Sequence, residues 1–284
     1  MPRFTNWTIF QHSPREAVIA ATNDAVGVER SGQMRRLRRV DVVVFDCDST
    51  LSGIEGIDEL AREHAEEVAQ LTAAAMRGEV ALEQVYGQRL ALVKPTRDAV
   101  ARLGELYVSH IVPDAAEVVR ALQAEGIRVR IMSGGLLPAV LVLARHLGIA
   151  DRDVAAVDIR FDDAGAYAGF DTASPLSRSG GKRALLEIWR REQSASVMFV
   201  GDGATDLETR DVADVFVAYA GVVERAAVVA VADFVVRSAS LTPVLALALA
   251  GERPRHAAAL ELYDSGLERL ESVYRSYLGN GPAV

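Results

Sequence analysis

A short apolar run that ends in two acids constrains the fold of this chain more than any other feature. Val42–Phe45 has the continuous β-branched pattern of a buried strand, and Asp46, Asp48 and the hydroxyl of Thr50 follow it. A strand continuing through the acids would turn both carboxylates to one side. Two crowded carboxylates repel each other and are costly to desolvate unless a cation joins them. Because open α/β sheets bind ligands at the C-terminal ends of their strands, we predict a Mg²⁺-dependent site here, with one carboxylate as nucleophile and the other as proton shuttle.

Composition is typical of a globular protein. The 284 residues, half of them apolar, fit one large domain or a domain with an insertion. Apolar stretches are interrupted well before the ~18–20 residues that a membrane span requires. The single cysteine, Cys47, excludes a disulfide framework and suits a reducing compartment. The start of the chain has no signal-peptide pattern, so we expect a cytoplasmic location.

Charge is unevenly distributed along the chain. The net charge is −8, yet residues 1–40 carry seven arginines against three acids. This basic segment could contact nucleic acid or anionic lipid, or it could be a solvated segment that leads into the first strand. The acidic remainder lacks aromatic–basic alternation, which argues against a nucleic-acid partner. Lys94 and Lys182 are the two lysines among 31 basic residues, and a lysine kept in such a chain can be needed as a compact ammonium, although chance can also leave two.

After the first strand, the pattern predicts a helical cap inserted into an α/β core. Residues 53–111 have helical periodicity, with helices expected over 55–70, 81–93 and 97–109. From residue 112 onwards strands and helices alternate, which predicts a doubly wound parallel sheet with helices on both faces. The expected strands are 127–132, 154–161, 167–170, 196–200, 215–218 and 234–236, and the expected helices are 114–125, 136–147, 182–191, 205–211, 224–230, 241–249 and 256–277. Asp163-Ala164-Gly165 is a hairpin-turn signature.

Four regions follow from this pattern. We predict an N-terminal extension over residues 1–39 with no assigned role, a core over 40–52 and 112–249, and a helical cap over 53–111 that sets substrate specificity. Residues 250–284 form a predicted C-terminal helical extension. Its apolar positions predict an amphipathic helix that packs on the core or on a second subunit, so a monomer or a homodimer is expected. These positions are Leu260, Leu262, Leu267, Leu270 and Tyr274.

Three further polar groups lie at the ends of predicted elements. Each is an ordinary turn sequence when taken alone. The serine of the first can meet a phosphate together with unhindered backbone N–H groups, the lysine of the second supplies a point charge, and the two acids of the third form a hard-cation site. The groups are Ser133-Gly134-Gly135, Gly180-Gly181-Lys182, and the segment 201–206 with Asp202 and Asp206.

Together, in this order and spacing, the groups resemble the four motifs of the haloacid-dehalogenase-like (HAD) phosphohydrolases over roughly residues 40–240. The resemblance implies that Asp46 is the nucleophile and forms an aspartyl-phosphate. It implies that Asp48 protonates the leaving alcohol and then deprotonates water, help worth roughly 10²–10⁴ in rate. Ser133 and Lys182 would hold the phosphoryl oxygens. The implied Mg²⁺ ligands are Asp46, the carbonyl of Asp48 and Asp202, with Asp206 supporting the site.

A closer resemblance rests on residues 46–50, 55–60, Met76, 82–84, Arg89, 177–182 and 201–206. On these residues the chain resembles, within this family, the phosphoserine phosphatases, a group whose substrate is a small phosphorylated metabolite. It implies that Glu55 receives the ammonium of phosphoserine, that Arg89 receives its carboxylate and that Met76 lines the cap. A zwitterion needs one acid and one base in addition to the contacts with its phosphate. Gly134, Gly135 and Thr205 are the remaining expected substrate contacts.

The residues of the cap also allow simpler interpretations. Ser52-x-x-Glu55 is a capping-box pattern, so Glu55 could cap the first cap helix. Arg89 could be a solvated helix residue, and Met76 could be ordinary core.

Other functions stay open beside phosphoserine hydrolysis. One is the same chemistry on another small phosphate ester, or phosphoryl transfer to an alcohol such as homoserine. Another is a non-catalytic phosphometabolite-binding protein, although a binder has no need of a proton shuttle at Asp48. A cysteine phosphatase requires an arginine six positions after its cysteine, and that position is Gly53 here, which favours Cys47 as a small core residue. The five histidines lack metal-ligand spacing, which argues against a histidine-metal hydrolase.

Overall fold

The computed structural model describes residues 37–76, 82–271, 274, 275 and 278. Several predictions lie outside the described residues: the structure of segment 1–36, the helix break near Gly78 and the helical state of Tyr277. None of the described helices combines the length and the apolar character that a bilayer span requires.

The core of the described chain is a six-stranded parallel sheet in the order β3-β2-β1-β6-β7-β8. The strands are β1 Val42–Phe45, β2 Arg128–Leu136, β3 Val154–Val157, β4 Ile159–Phe161, β5 Tyr167–Phe170, β6 Val197–Gly201, β7 Val215–Tyr219 and β8 Phe234–Val236. From β1 the chain adds β2 and β3 on one side of the sheet, and it then adds β6, β7 and β8 on the other side. The predicted doubly wound parallel sheet is therefore confirmed, with its topological switch point between β1 and β6.

Helices surround this sheet and form the cap. They are α1 Gly56–Leu60, α2 Ala65–Met76, α3 Leu82–Val93, α4 Arg97–Ser109, α5 Ala115–Ala124, α6 Leu137–His146, α7 Gly181–Gln193, α8 Ala204–Leu207, α9 Ala226–Val229, α10 Thr242–Ala248 and α11 Ala257–Arg269. The four helices α1–α4 follow β1 directly, which agrees with the predicted insertion. The exact domain boundaries stay a prediction.

Strand β1 is buried on both faces because its residues alternate between two hydrophobic clusters. Val43 and Phe45 belong to the cluster that includes Leu143 of α6 and Leu245 of α10. Val42 and Val44 belong to the opposite cluster, with Leu186 of α7. This burial on both sides explains why the strand has a continuous apolar sequence rather than an alternating one.

The predicted strand Val42–Phe45 is confirmed. Its continuation through the acids is wrong, because the strand ends at Phe45, so Asp46 and Asp48 lie in the following loop and the strand period does not orient them. The expected strand 154–161 is two strands, because β3 joins the main sheet whereas β4 pairs antiparallel with β5 in a separate two-stranded sheet. The predicted turn between β4 and β5 is confirmed, with Gly165 at φ +82°.

Three helix predictions were wrong. The expected helix 205–211 is one short turn, because α8 ends at Leu207. The expected helix 55–70 is divided into α1, a 3₁₀ turn at Arg62–His64 and α2. The expected helix 256–277 is shorter, because α11 ends at Arg269.

The C-terminal extension packs on the core. Tyr263 of α11 is buried, and the ring of Tyr274 contacts the ring of Phe234 in β8 edge-on, with their centroids 5.2 Å apart. A Cβ at Gly266 would collide with the carbonyl oxygen of Thr242, so glycine allows α11 to approach α10 closely. Packing on the core is one of the two predicted arrangements, and the second subunit stays a prediction.

Candidate active site

The site lies at the C-terminal ends of β1 and β6, beside β2. Strand β1 pairs with both neighbours, so polar residues distant in sequence become adjacent at one edge of the sheet. Asp46 follows β1, Asp202 follows β6, and Ser133 lies inside β2 because this strand continues to Leu136. The Ser-Gly-Gly segment is therefore part of a strand rather than a turn.

A buried lysine joins two of the acids. Lys182 Nζ, near the start of α7, lies 2.8 Å from Oδ1 of Asp46 and 2.5 Å from Oδ1 of Asp206. Burial lowers the pKa of Lys182, but the two carboxylates outweigh burial and raise its pKa overall. Burial and the neighbouring Asp206 raise the pKa of Asp46 well above its usual value, against the opposing effect of Lys182. By contrast, Lys94 is exposed.

Three carboxylates form a group that fits a metal ion. One oxygen from each of Asp46, Asp202 and Asp206 lies within 4.8 Å of the other two. Burial, assisted by Asp206, raises the pKa of Asp202 to about 6. Because buried like charges and hard oxygen donors are the environment that a divalent cation stabilises, these residues fit the metal ion used by the family that the sequence resembles.

Both carboxylate oxygens of Asp206 have protein donors. Oδ1 pairs with Lys182, and Oδ2 accepts from the backbone N–H of Gly203 at 2.8 Å. A Cβ at Gly201 would lie 2.5 Å from Oδ2 of Asp206, so a glycine is required at this position. The ion pair with Lys182 suits a supporting role for Asp206, as the resemblance implied.

Arg225 is a site residue that the sequence analysis missed. Its Nε lies 2.9 Å from Oδ2 of Asp202, and its Nη2 lies 3.1 Å from Oε1 of Glu55. The guanidinium therefore links the acidic group to the cap. Nothing local distinguishes this arginine from the other arginines of an arginine-rich chain.

Asp48 is held by two donors from the cap segment. Its Oδ1 accepts from the backbone N–H of Gly56 and from the hydroxyl of Tyr107, each at 2.7 Å. Burial raises the pKa of Asp48 to about 6, against the opposing effect of the tyrosine hydrogen bond. An acid with a pKa near neutrality suits a group that both gives and takes a proton. Tyr107 was also missed by the sequence analysis.

The Ser133-Gly134-Gly135 segment contacts both the core and the cap. Ser133 is fully buried, and its Oγ accepts from the N–H of Gly135 at 2.9 Å. The carbonyl of Gly134 accepts from the hydroxyl of Tyr86 in α3 at 2.9 Å. A Cβ at Gly135 would lie 3.2 Å from Oδ2 of Asp48, so this glycine leaves room beside that oxygen.

Glu55 does not form the capping box that its sequence allowed. It occupies the N-cap position of α1, but its side chain makes no capping hydrogen bond there among the described residues. Its Oε1 instead accepts from Ser49 Oγ at 2.8 Å and pairs with Arg225. Ser52 Oγ donates to the carbonyl of Tyr107. The capping-box interpretation is therefore wrong.

Arg89 lies in α3 and forms an ion pair with Asp58 of α1. Its side chain is 23% exposed, which contradicts the interpretation as a freely solvated helix residue. Its Nε is buried and has no hydrogen-bond partner in the described part of the chain. An unpaired buried donor of this kind suits a ligand acceptor.

The remaining predicted residues have less defined surroundings. Met76 ends α2, and its side chain lies outside the described residues. Thr205 is exposed near the start of α8, so its substrate contact stays a prediction. Cys47 is fully buried, and burial raises the pKa of its thiol well above the usual value, which agrees with a small core residue rather than a nucleophile.

The geometry can be compared with known proteins. A model of the haloacid dehalogenase-like hydrolase family matches residues 40–213. The chain belongs to this family. It is 40% identical over 204 residues to the chloroplastic phosphoserine phosphatase of Arabidopsis thaliana, covering 70% of this chain and 69% of that protein. It is 39% identical over 188 residues to the phosphoserine phosphatase of Bos taurus, covering 65% of this chain and 84% of that protein.

A solved structure in this family is also similar. It is described as a phospho-aspartyl intermediate analogue of phosphoserine phosphatase and superposes with a TM-score of 0.59 at 27% identity. The match covers 73% of this chain and 98% of the other. The parallel sheet with its surrounding helices is thus the fold of a hydrolase family.

Proposed function

We propose that this protein is a Mg²⁺-dependent phosphomonoesterase that hydrolyses O-phospho-L-serine to serine and phosphate, the last step of serine biosynthesis. The contact of buried Lys182 with Asp46, beside Asp202, is the observation that carries this proposal. A carboxylate nucleophile that attacks an anionic phosphate needs concentrated positive charge around it. The names of the relatives from Arabidopsis thaliana and Bos taurus support phosphoserine as the substrate.

The proposed reaction has two halves. In the first, a carboxylate oxygen of Asp46 forms a bond to phosphorus as the phosphorus–oxygen bond to serine breaks, and Asp48 gives its proton to the departing oxygen. In the second, Asp48 takes a proton from water as that water attacks the phosphorylated Asp46 and releases phosphate. Lys182 and Ser133 hold the phosphoryl oxygens in both halves. The solved phospho-aspartyl analogue of a relative supports such an intermediate.

The metal would be held by Asp46, Asp202 and the carbonyl of Asp48, with Asp206 orienting Lys182. When bound, Mg²⁺ supplies positive charge that offsets the repulsion between the nucleophile and the phosphate. Mg²⁺ is our specific choice because the donors are all oxygens and its usual partners are one or two carboxylates together with substrate phosphate.

Removal of the metal is expected to abolish activity reversibly. Dialysis against EDTA should stop phosphate release, and Mg²⁺ should restore it. Mg²⁺ should also raise the melting temperature of the wild-type protein, because a ligand that binds the folded state stabilises it. Asp202→Asn is the matched variant and should lose most of this thermal shift. Full activity in EDTA would contradict the metal assignment.

Substrate selection is proposed to come from the cap. Glu55 offers a carboxylate to the substrate ammonium, and Arg89 offers its unpaired Nε and the rest of its guanidinium to the substrate carboxylate. Both side chains already have protein partners, Arg225 and Asp58, which would shift or share these contacts when substrate binds. An acid and a base beside a phosphate site match the charges of phosphoserine.

Arg89→Ala is expected to lower kcat/KM for phosphoserine by about tenfold to hundredfold, the value of a hydrogen bond to a charged group. The same variant should cleave an aryl phosphate, which has no carboxylate, within about threefold of the wild-type rate. Arg62→Ala is the matched control, since Arg62 also lies in the cap and is 75% exposed. Equal losses on both substrates would contradict selection by Arg89.

A panel of small phosphate esters separates the competing functions. Preference for phosphoserine supports the proposal. Comparable turnover of all esters would contradict phosphoserine as the specific substrate but would still support a phosphatase. Formation of a phosphorylated alcohol from added homoserine would indicate phosphoryl transfer. Binding without turnover of any ester would indicate a non-catalytic protein.

The cellular setting of this reaction is also proposed. We infer a cytoplasmic enzyme, which the single cysteine of the chain supports. The state of assembly, monomer or homodimer, stays a prediction.

A further inference from the structure

Tyr107 of α4 makes a contact that the proposed reaction has not used. Its hydroxyl donates to Oδ1 of Asp48 at 2.7 Å, and its side chain is fully buried. Its own carbonyl accepts from Ser52 Oγ at 3.1 Å, which ties α4 to the loop after β1. A Cβ at Gly56 would collide with the tyrosine hydroxyl, so the two donors to Asp48 are packed tightly against each other.

We propose that Tyr107 is a positioning residue that fixes the carboxylate of Asp48 so that Oδ2 carries the proton. This inference rests on the proposed phosphatase function. It assigns a role in proton transfer to a side chain of the cap segment, 59 residues away from Asp48 in sequence.

The assignment of Oδ2 follows from how the two oxygens are occupied. Oδ1 accepts two short hydrogen bonds, from the N–H of Gly56 and from Tyr107, and is therefore held in place. Oδ2 lies beside Gly135, where an added Cβ would be 3.2 Å away, in the segment proposed to meet the phosphoryl group. Two hydrogen bonds to one oxygen restrict rotation of the carboxylate, so the second oxygen keeps a fixed direction.

Oδ2 of Asp48 loses a proton in the first half-reaction and regains one in the second. In the first half-reaction the Oδ2–H bond breaks and a hydrogen–oxygen bond forms on the departing serine, as phosphorus leaves that oxygen for Asp46. In the second, Oδ2 takes a proton from water while the oxygen of that water bonds to phosphorus and Asp46 departs. Tyr107 keeps its own proton throughout and gives a hydrogen bond to Oδ1.

Tyr107→Phe tests this role, because it keeps the buried ring and removes the hydroxyl. The measurement is kcat/KM for phosphoserine and for 4-nitrophenyl phosphate. This ratio reports the steps up to departure of the alcohol, so dephosphorylation of Asp46, which both substrates share, does not enter it. Serine departs poorly without a proton, whereas 4-nitrophenolate departs readily as an anion.

We expect kcat/KM for phosphoserine to fall by about tenfold to hundredfold and that for the aryl phosphate to stay within about threefold. Tyr219→Phe is the matched control, since it also removes one buried tyrosine hydroxyl, which donates to the carbonyl of Ala239. In that control, kcat/KM for phosphoserine divided by kcat/KM for the aryl phosphate should equal the wild-type value. Melting temperatures of both variants report any general loss of folding.

Equal decreases on both substrates, or no decrease on either, would overturn the positioning role. If the wild-type protein cleaves another alkyl phosphate instead of phosphoserine, the proposed substrate fails, and Tyr107 is judged on that ester by the same comparison. If the wild-type protein cleaves no ester at all, the proposed function and the role of Tyr107 both fail.

Discussion

Asp46→Asn is expected to lower the rate of phosphate release by about 10⁴-fold or more, because it removes the nucleophile and leaves the surrounding site intact. An asparagine has nearly the same size as the aspartate and can still accept a hydrogen bond from Lys182, which lies 2.8 Å away. Its neutral amide, however, does not form a stable bond to phosphorus. Phosphate release from phosphoserine with saturating Mg²⁺ measures the loss.

The same variant is expected to fold at least as stably as the wild-type protein. Burial and Asp206 raise the pKa of Asp46 more than Lys182 lowers it, so the ionised carboxylate costs folding free energy at neutral pH. A neutral side chain removes that cost, and the melting temperature should stay equal or rise.

The matched control makes the same chemical change at the exposed turn residue Asp163. Asp163→Asn should keep both the activity and the melting temperature of the wild-type protein. Retention of more than a few per cent of activity in Asp46→Asn would exclude Asp46 as the nucleophile.

Lys182→Met is expected to damage both catalysis and folding. The substitution removes the ammonium between Asp46 and Asp206 and leaves two buried carboxylates without their shared partner. Breaking a buried ion pair on one side typically costs about 3–5 kcal/mol, which corresponds to roughly 10 °C in melting temperature for a chain of this size. Loss of a charge that stabilises the transition state should also lower kcat by about 10²–10³-fold.

Two further variants separate these effects. Lys182→Arg keeps the positive charge, so the variant should fold. Activity should stay low, because the planar guanidinium does not reproduce the geometry of a compact ammonium between two carboxylates. Lys94→Met changes the other lysine of the chain, which is exposed, and should alter neither activity nor melting temperature. Wild-type activity in Lys182→Met would remove the electrostatic basis of the proposed function.

Several features of this protein could be predicted because their signals are local. The continuous apolar run Val42–Phe45 is buried on both faces of the sheet, and only a strand with helices on both sides requires such a sequence. The turn at Gly165 was predicted because a residue at positive φ favours glycine. Retention of a lysine did not by itself indicate the site, because Lys182 is a buried ammonium with acidic partners whereas Lys94 is exposed.

Boundaries and orientation were harder to predict. The pattern of alternating elements does not show where a strand stops, so the strand period was wrongly applied to Asp46 and Asp48, which lie beyond the end of β1. The pattern also did not show that the expected strand 154–161 is two strands. Whether a segment joins the main sheet or the small sheet depends on its partner strand, which is distant in sequence for β3.

The sequence by itself determined the alternation of strands and helices and the chemical types of residue available at the strand ends. The tertiary structure alone decided which of the many arginines and tyrosines reach the site. Arg225 and Tyr107 have no local signature, and they meet Asp202 and Asp48 because the order of the strands and the return of the cap bring them there. The periodicity of apolar residues depends on neighbours within one helical turn or along one strand. Contacts at the edge of the sheet instead join residues distant in sequence, so they depend on the topology of the whole chain.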